Sequence, residues 1–166
     1  MRLNLKILSL IGFITCLVLL ASAYYFQFAL DMEPCPLCIM QRVATLMVAL
    51  GCLAGFFLAS RPLGLLASSI WTLLSSLFGF YLSQHHNWLQ GLPADQVPSC
   101  GPSLEYMIDA FPIMEVITVL LRGNGNCAEV SWSFVGLTMP GWLMIFFAGF
   151  ALASIVGIYS AWKARK

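Results

Sequence analysis

The 166 residues would suit one domain of ordinary size, but 60% of them are hydrophobic, only 9% are charged, and the net charge is +1. A water-soluble globule could not cover its surface with so few polar groups. Disorder needs the opposite composition, and a nearly neutral chain offers no basic face to nucleic acid. What remains is an all-α integral membrane protein, read as a single membrane domain over residues 1–166.

The first apolar run, about 7–30, is long enough to cross a bilayer, which takes roughly 17–25 helical residues. Arg2, Lys6 and the Ala21-Ser22-Ala23 stretch resemble a cleavable signal peptide. The apolar run continues to Leu30, however, past the roughly 7–15 residues of a signal core, so it is read as an uncleaved span. A loop over about 31–42 carries Cys35-Pro36-Leu37-Cys38 and Arg42, and a second span follows over about 43–59. Ser60-Arg61-Pro62 turns the chain into a third span, about 63–82, and a long loop over about 83–139 leads to the fourth, about 141–162. Pro140 opens that last span, and Trp142 and Trp162 lie about 30 Å apart along it, one for each interface.

Within the long loop, between Ser103 and Leu121, apolar residues including Leu104, Met107, Ile108, Phe111 and Ile117 recur at helical spacing, with Pro112 interrupting them. One or two short helical pieces are predicted, lying in the membrane interface or packed on the bundle. Gly51 with Gly55, and Gly149 with Ala153 and Gly157, have the one-turn spacing that lets helices approach closely.

Four spans put both termini on one side. Arg2, Lys6, Arg61, Lys163, Arg165 and Lys166 lie there without an acid, whereas Arg42 and Arg122 share the other side with all seven acids. The excess of Lys and Arg assigns the termini to the cytoplasm and both loops to the outside.

Topology then sorts the cysteines. Cys16 lies inside the first span, and Cys52 lies about 21 Å deeper along its helix than Cys38; both read as small buried hydrophobes. Cys35, Cys38, Cys100 and Cys127 lie on the outer side, where disulfides persist. Cys35 and Cys38 could close a tight ring. Cys100 and Cys127 could close one of some 26 intervening residues, worth about 3.5 kcal/mol as a plain staple. A C-x-x-C alone is a redox pair or half of a metal site. Here Cys35 falls near a helix N-cap, Pro36 suits the first helical position and Cys38 the first turn, where free N–H groups stabilise a thiolate. Arg42, one turn on, shares a face with Cys38 and adds a positive charge. An ionisable residue at membrane depth is a functional candidate, although an arginine at the interface also snorkels to water.

These residues resemble the bacterial disulfide bond formation protein B (DsbB) family of quinone-dependent thiol oxidases. The match rests on Cys35-x-x-Cys38 with Arg42, the pair Cys100 and Cys127, and the stretch from Cys127-Ala128-Glu129 through Trp132, Phe134 and Gly136 to Met139-Pro140-Gly141-Trp142-Leu143. It covers nearly the whole chain and implies a four-transmembrane-helix bundle in the bacterial inner membrane, with active cysteines facing the periplasm. It also implies a partner, a DsbA-like periplasmic thiol oxidase, which attacks the Cys100–Cys127 disulfide through a mixed disulfide with Cys100. Exchange with Cys35–Cys38 follows, and Cys38 passes electrons to ubiquinone or menaquinone, with Arg42 at the quinone site. A family histidine near the quinone maps to His86, beside His85 at the end of the third span. Other readings from the same residues are a metal- or haem-binding membrane protein, or a structural one with stapled loops. The absence of a second C-x-x-C, and of a His on any other span, counts against metal or haem.

Overall fold

The computed structural model describes residues 2–101 and 104–165. Its frame is four long helices, α1 (Arg2–Ala29), α2 (Pro36–Leu58), α3 (Pro62–Gln90) and α6 (Met139–Lys163). Each is long and apolar enough to cross a membrane. Two short helices, α4 (Leu104–Ala110) and α5 (Ile113–Arg122), lie between α3 and α6, separated at Pro112 as the apolar spacing requires. Ser103, where that spacing begins, lies outside the described residues. A 3-10 turn, Gly125–Cys127, and a small antiparallel hairpin, β1 (Ser133–Phe134) with β2 (Leu137–Thr138), complete the connection. The hairpin is the one departure from an all-α chain among the described residues, and it turns on Val135 and Gly136, both at positive φ.

Proline sets three of the helix starts. Pro36, Pro62 and Pro140 sit in the first turns of α2, α3 and α6, where a missing N–H leaves nothing unbonded. Both α2 and α3 overrun the apolar runs that mark their spans: α2 begins at Pro36, well ahead of Val43, and α3 continues past Leu82 to Gln90. Hydropathy ends where Gln84, His85, His86 and Asn87 begin, but backbone hydrogen bonding does not. The loops expected over 31–42 and 83–139 are correspondingly shorter. This overrun carries Cys38 and His86 on rigid helix.

The helices pack in the order α1, α2, α3, α6, and the seam between α1 and α6 is the loose side of the bundle. In lipid, such packing draws on close contact and hydrogen bonds, since moving an apolar surface from lipid to protein gains little. Gly51 lies against Thr72 and Trp71, and Gly157 against Ser69, while Gly149 faces open space. Three buried hydroxyls of α3 donate within their own helix, Ser68 to the Leu65 carbonyl at 3.1 Å, Thr72 to that of Ser68 at 2.9 Å and Ser76 to that of Thr72 at 2.7 Å. Gln41 Nε2 donates across to Ser83 Oγ at 3.2 Å. One core runs from Cys16 and Cys52 through Val48, Leu82 and Phe147 to Leu37, Leu89 and Cys127.

Candidate active site

The end of the bundle where α2 starts and α3 finishes gathers three of the six thiols. Cys35 is the N-cap of α2, its sulfur accepting from the Cys38 N–H at 3.4 Å, and its Sγ lies 3.0 Å from that of Cys38. Cys127 is wholly buried, and its sulfur, that of Cys35 and a ring nitrogen of His86 all lie within 4.8 Å of one another. Residues separated by most of the chain therefore meet at one point, with Cys35 in the middle.

Two features of the connection put Cys127 there. Gly123 ends α5 at φ 73°, a conformation that favours glycine, and a Cβ at this position would lie 2.8 Å from Leu37 Cδ1 and 2.9 Å from Leu89 Cδ1. The chain thus leaves α5 pressed onto the first turn of α2 and the last of α3. Gly125 does the same for the other side of the loop: a Cβ there would stand 3.1 Å from both the backbone N and the Sγ of Cys100. The Gly125 N–H donates to the Ser99 carbonyl at 3.2 Å. Cys100 is held against this turn but remains exposed, whereas Cys127 is covered.

The electrostatics separate the two sulfurs. The Cys127 thiol is brought down to about 6 by the hydrogen bond from the Cys35 thiol, and then, against the opposing effect of burial, by the backbone N–H groups of Asn124 and Leu37. The Leu37 N–H belongs to the first turn of α2, so a helix N-terminus stabilises a thiolate supplied by a distant loop. Cys35, as donor to Cys127 and to Cys38, is pushed far above the ordinary thiol range.

The two histidines do different things. His86 is 2% exposed, with Nε2 3.8 Å from Cys35 Sγ. The structure sets it at the thiol cluster, and it is absent from the wall of the cavity beside Cys38 described below. The ring of His85 stacks between Tyr81 and Trp88, and its Nε2 pairs with the Arg122 carbonyl at 2.8 Å, tying α3 to the end of α5.

On the other side of Cys38 a cavity of about 450 Å³ lies among α1, α2, α6 and the hairpin. Cys38, Gln41, Arg42 and Thr45 form its α2 wall, and Phe26, Trp132, Trp142 and Phe146 supply much of the rest. Arg42 reaches across to α1. It donates to Gln27 Oε1 and, at 3.0 Å, to the Ala23 carbonyl, and its guanidinium carbon stands 5.0 Å from the centre of the Tyr24 ring. A side chain so held does not swing out to water. It presents a fixed positive charge to an apolar space that a thiol also enters. Neither Gly123 nor the Gln27–Ala23 anchor was singled out by sequence reasoning. A glycine directly after the charged end of an amphipathic helix was the available signal for the first.

The chain matches the family model "Disulfide bond formation protein DsbB" over residues 5–157. It is similar to disulfide bond formation protein B of Nitrosococcus oceani, 42% identical over 98% of this chain and 93% of that one. The protein of the same name from Hahella chejuensis is 46% identical over 80% of each chain. Disulfide bond formation protein B 1 of Pseudomonas aeruginosa is 37% identical, covering 90% of this chain and 91% of its own.

Proposed function

The chain belongs to the disulfide bond formation protein B family, and from that premise we propose that it reoxidises a DsbA-like thiol oxidase and passes the electrons to a membrane quinone. In this reading its termini are cytoplasmic and the thiol end of the bundle faces the periplasm, in keeping with the segregation of positive residues. One observation carries the mechanism: Cys127 lies beside Cys35, while Cys38 lies beside Arg42 and the cavity.

The order of exchange follows from exposure and distance. Cys100 is the accessible sulfur of its pair, so a partner thiolate attacks there, forms the mixed disulfide and expels Cys127 as a thiolate. While Cys35 is tied to Cys38 it has no thiol proton to donate, and the backbone N–H groups of Asn124 and Leu37 are what favour the charged form of Cys127 against burial as it leaves and attacks. Its neighbour is Cys35, so it attacks the Cys35 sulfur of the Cys35–Cys38 bond, and the electron pair of that bond leaves on Cys38. The partner's second thiol then attacks the mixed disulfide and releases Cys100. Cys100 in turn attacks Cys127 and frees Cys35, which restores the loop disulfide and leaves the C-x-x-C pair reduced. Arg42 faces the charge that develops on Cys38 and cannot drift from it, because Gln27 and the Ala23 carbonyl hold the guanidinium.

The cavity suits a quinone. Its size falls within the roughly 300–1,000 Å³ of small-molecule sites, its walls are mostly aromatic and aliphatic, and Arg42, Gln41 and Thr45 supply polar groups. The loose α1–α6 seam gives a lipid-soluble molecule a lateral way in. A quinone held by these residues supplies a two-electron, two-proton acceptor beside Cys38. His86 stands at the thiol cluster, where it packs against Cys35.

The test is catalytic oxidation of a reduced periplasmic dithiol protein by the purified chain with quinone. Turnover should vanish in Cys38→Ser and in Cys100→Ser. Full turnover in both variants would overturn the mechanism.

A further inference from the structure

The same thiol cluster has a second chemistry. Cys35 Sγ, Cys127 Sγ and a ring nitrogen of His86 lie within 4.8 Å of one another, two soft sulfur donors and an imidazole. A tetrahedral Zn²⁺ with Zn–S bonds of about 2.3 Å sets neighbouring sulfurs about 3.8 Å apart, so the donors need to close by at most about an ångström. His86 Nε2 is already 3.8 Å from Cys35 Sγ. We infer that, once reduced, the enzyme binds a thiophilic cation such as Zn²⁺ or Cd²⁺ through Cys35, Cys127 and His86.

The site is built on firm elements. His86 sits on buried helix, Cys35 is an N-cap and Cys127 is clamped in its 3-10 turn by Gly123 and Gly125. His86 Nδ1 has no hydrogen-bond partner among the described residues, while Nε2 faces the Cys35 sulfur and the ring also lies against the Cys127 backbone. The Cys38 and Leu37 N–H groups support negative charge on Cys35 and Cys127 respectively. Binding a divalent cation displaces to solvent the protons the two sulfurs still carry, chiefly that of Cys35, and involves no electron transfer.

The cation and the disulfides compete for the same sulfurs. Closing Cys35 onto either Cys38 or Cys127 removes a donor, so binding is confined to the reduced enzyme and traps it there. This redox dependence rests on the proposed function, whereas binding to the reduced thiols does not. The result is a thiol oxidase that stalls when its acceptor is lacking and thiophilic metal is present.

The full chain in detergent, reduced and then freed of reductant under anaerobic conditions, is titrated with Cd²⁺ while the ultraviolet thiolate-to-Cd²⁺ charge-transfer band is followed. The expected result is a single equivalent bound by reduced protein and none by oxidised protein. The band is lost in Cys35→Ser and Cys127→Ser, and affinity falls about tenfold or more in His86→Ala. The Cys16→Ser/Cys52→Ser double variant, which removes the thiols within the bundle, retains the band. No band with reduced protein, a band that survives both Cys35→Ser and Cys127→Ser, or equal binding by oxidised protein would overturn the site. Quinone-dependent turnover, measured in parallel in metal-free buffer, keeps the two readings apart. Loss of turnover with the band intact counts against the proposed function, and loss of the band with turnover intact counts against the metal site alone.

Discussion

Cys16 with Cys52 and Cys35 with Cys127 are both pairs of thiols brought together from different elements and covered by the same core, yet in the proposed function only the second pair reacts. Cys16 and Cys52 stand among helix-packing residues within the bundle, with Gly12 close against the Cys52 sulfur. Nothing there supplies backbone N–H groups, since every residue around them is inside a helix whose donors are already used. Cys35 and Cys127 stand where α2 begins, and the unused donors of that first turn point at sulfur. The same residue type is thus inert or reactive according to whether it meets a helix interior or a helix N-terminus. The difference lies in the backbone around each thiol.

The largest expected effects set the two pairs against each other directly. Replacing Cys35, Cys38, Cys100 or Cys127 by serine should lower quinone-dependent turnover by about a thousandfold or more, because serine can neither form nor break the S–S bond. Serine at Cys16 or Cys52 should leave turnover within about twofold and shift stability by about 1 kcal/mol. A fully active Cys127→Ser alongside an inactive Cys16→Ser would invert the comparison.

Next comes the placement of the reactive pair. Gly123→Ala forces a side chain into positive φ and onto Leu37 and Leu89, and should cost about 1–3 kcal/mol. It should also slow Cys127 exchange with the C-x-x-C pair, as read by stopped-flow with reduced partner. An unchanged melting temperature and exchange rate would remove Gly123 from its positioning role.

Arg42 gives a smaller, more selective effect. Arg42→Ala should raise the apparent KM for quinone about tenfold, the loss of one charge-assisted contact, with the partner-side exchange little changed. Arg42→Lys should recover only part, since a single ammonium cannot serve Gln27, the Ala23 carbonyl and the Tyr24 face together. Equal quinone KM in all three proteins would separate Arg42 from the cavity's function.

The mildest test is pH. Cys127 titrates at about 6 with the Cys35 thiol as its donor, which is the fully reduced state. The thiolate is the attacking form, so in fully reduced protein the rate of Cys127 reaction with a small disulfide should fall about tenfold per unit below its midpoint and flatten above it. In a chelator-containing buffer the plateau should be reached well below the ordinary thiol value of about 8.5. A rate still climbing tenfold per unit through pH 8 would show an unassisted thiol.

Much of this was legible from local pattern. The four spans follow from hydropathy, the break between α4 and α5 from Pro112, and the N-cap placement of Cys35 from Pro36 beside it. What escaped was non-local or ran past the hydropathy signal. That α3 continues to Gln90 and lifts His86 to Cys35 is invisible to a hydropathy window, which ends with the apolar residues rather than with the helix. The approach of Cys127 to Cys35 depends on how a loop of two short helices folds back over α2. Spacing allowed a Cys35–Cys38 ring and a Cys100–Cys127 ring, the family resemblance implied both pairs with Cys35 as the outward sulfur, and spacing did not show which sulfur of the loop pair meets it. Gly123 and Gly125 decide that through their fit against Leu37, Leu89 and Cys100, which appears only once the elements are assembled.

The central claim is that electrons cross from the loop pair to the C-x-x-C pair through Cys127 and Cys35. It is tested most directly by stalling the reaction with a reduced partner whose second cysteine is serine, without quinone, then quenching in acid and mapping disulfides by peptide mass spectrometry. The account requires partner-to-Cys100 and Cys35–Cys127 linkages in the same molecules, with Cys38 free. Finding Cys127 bonded to Cys38, or Cys127 free beside an intact Cys35–Cys38 bond, would contradict it.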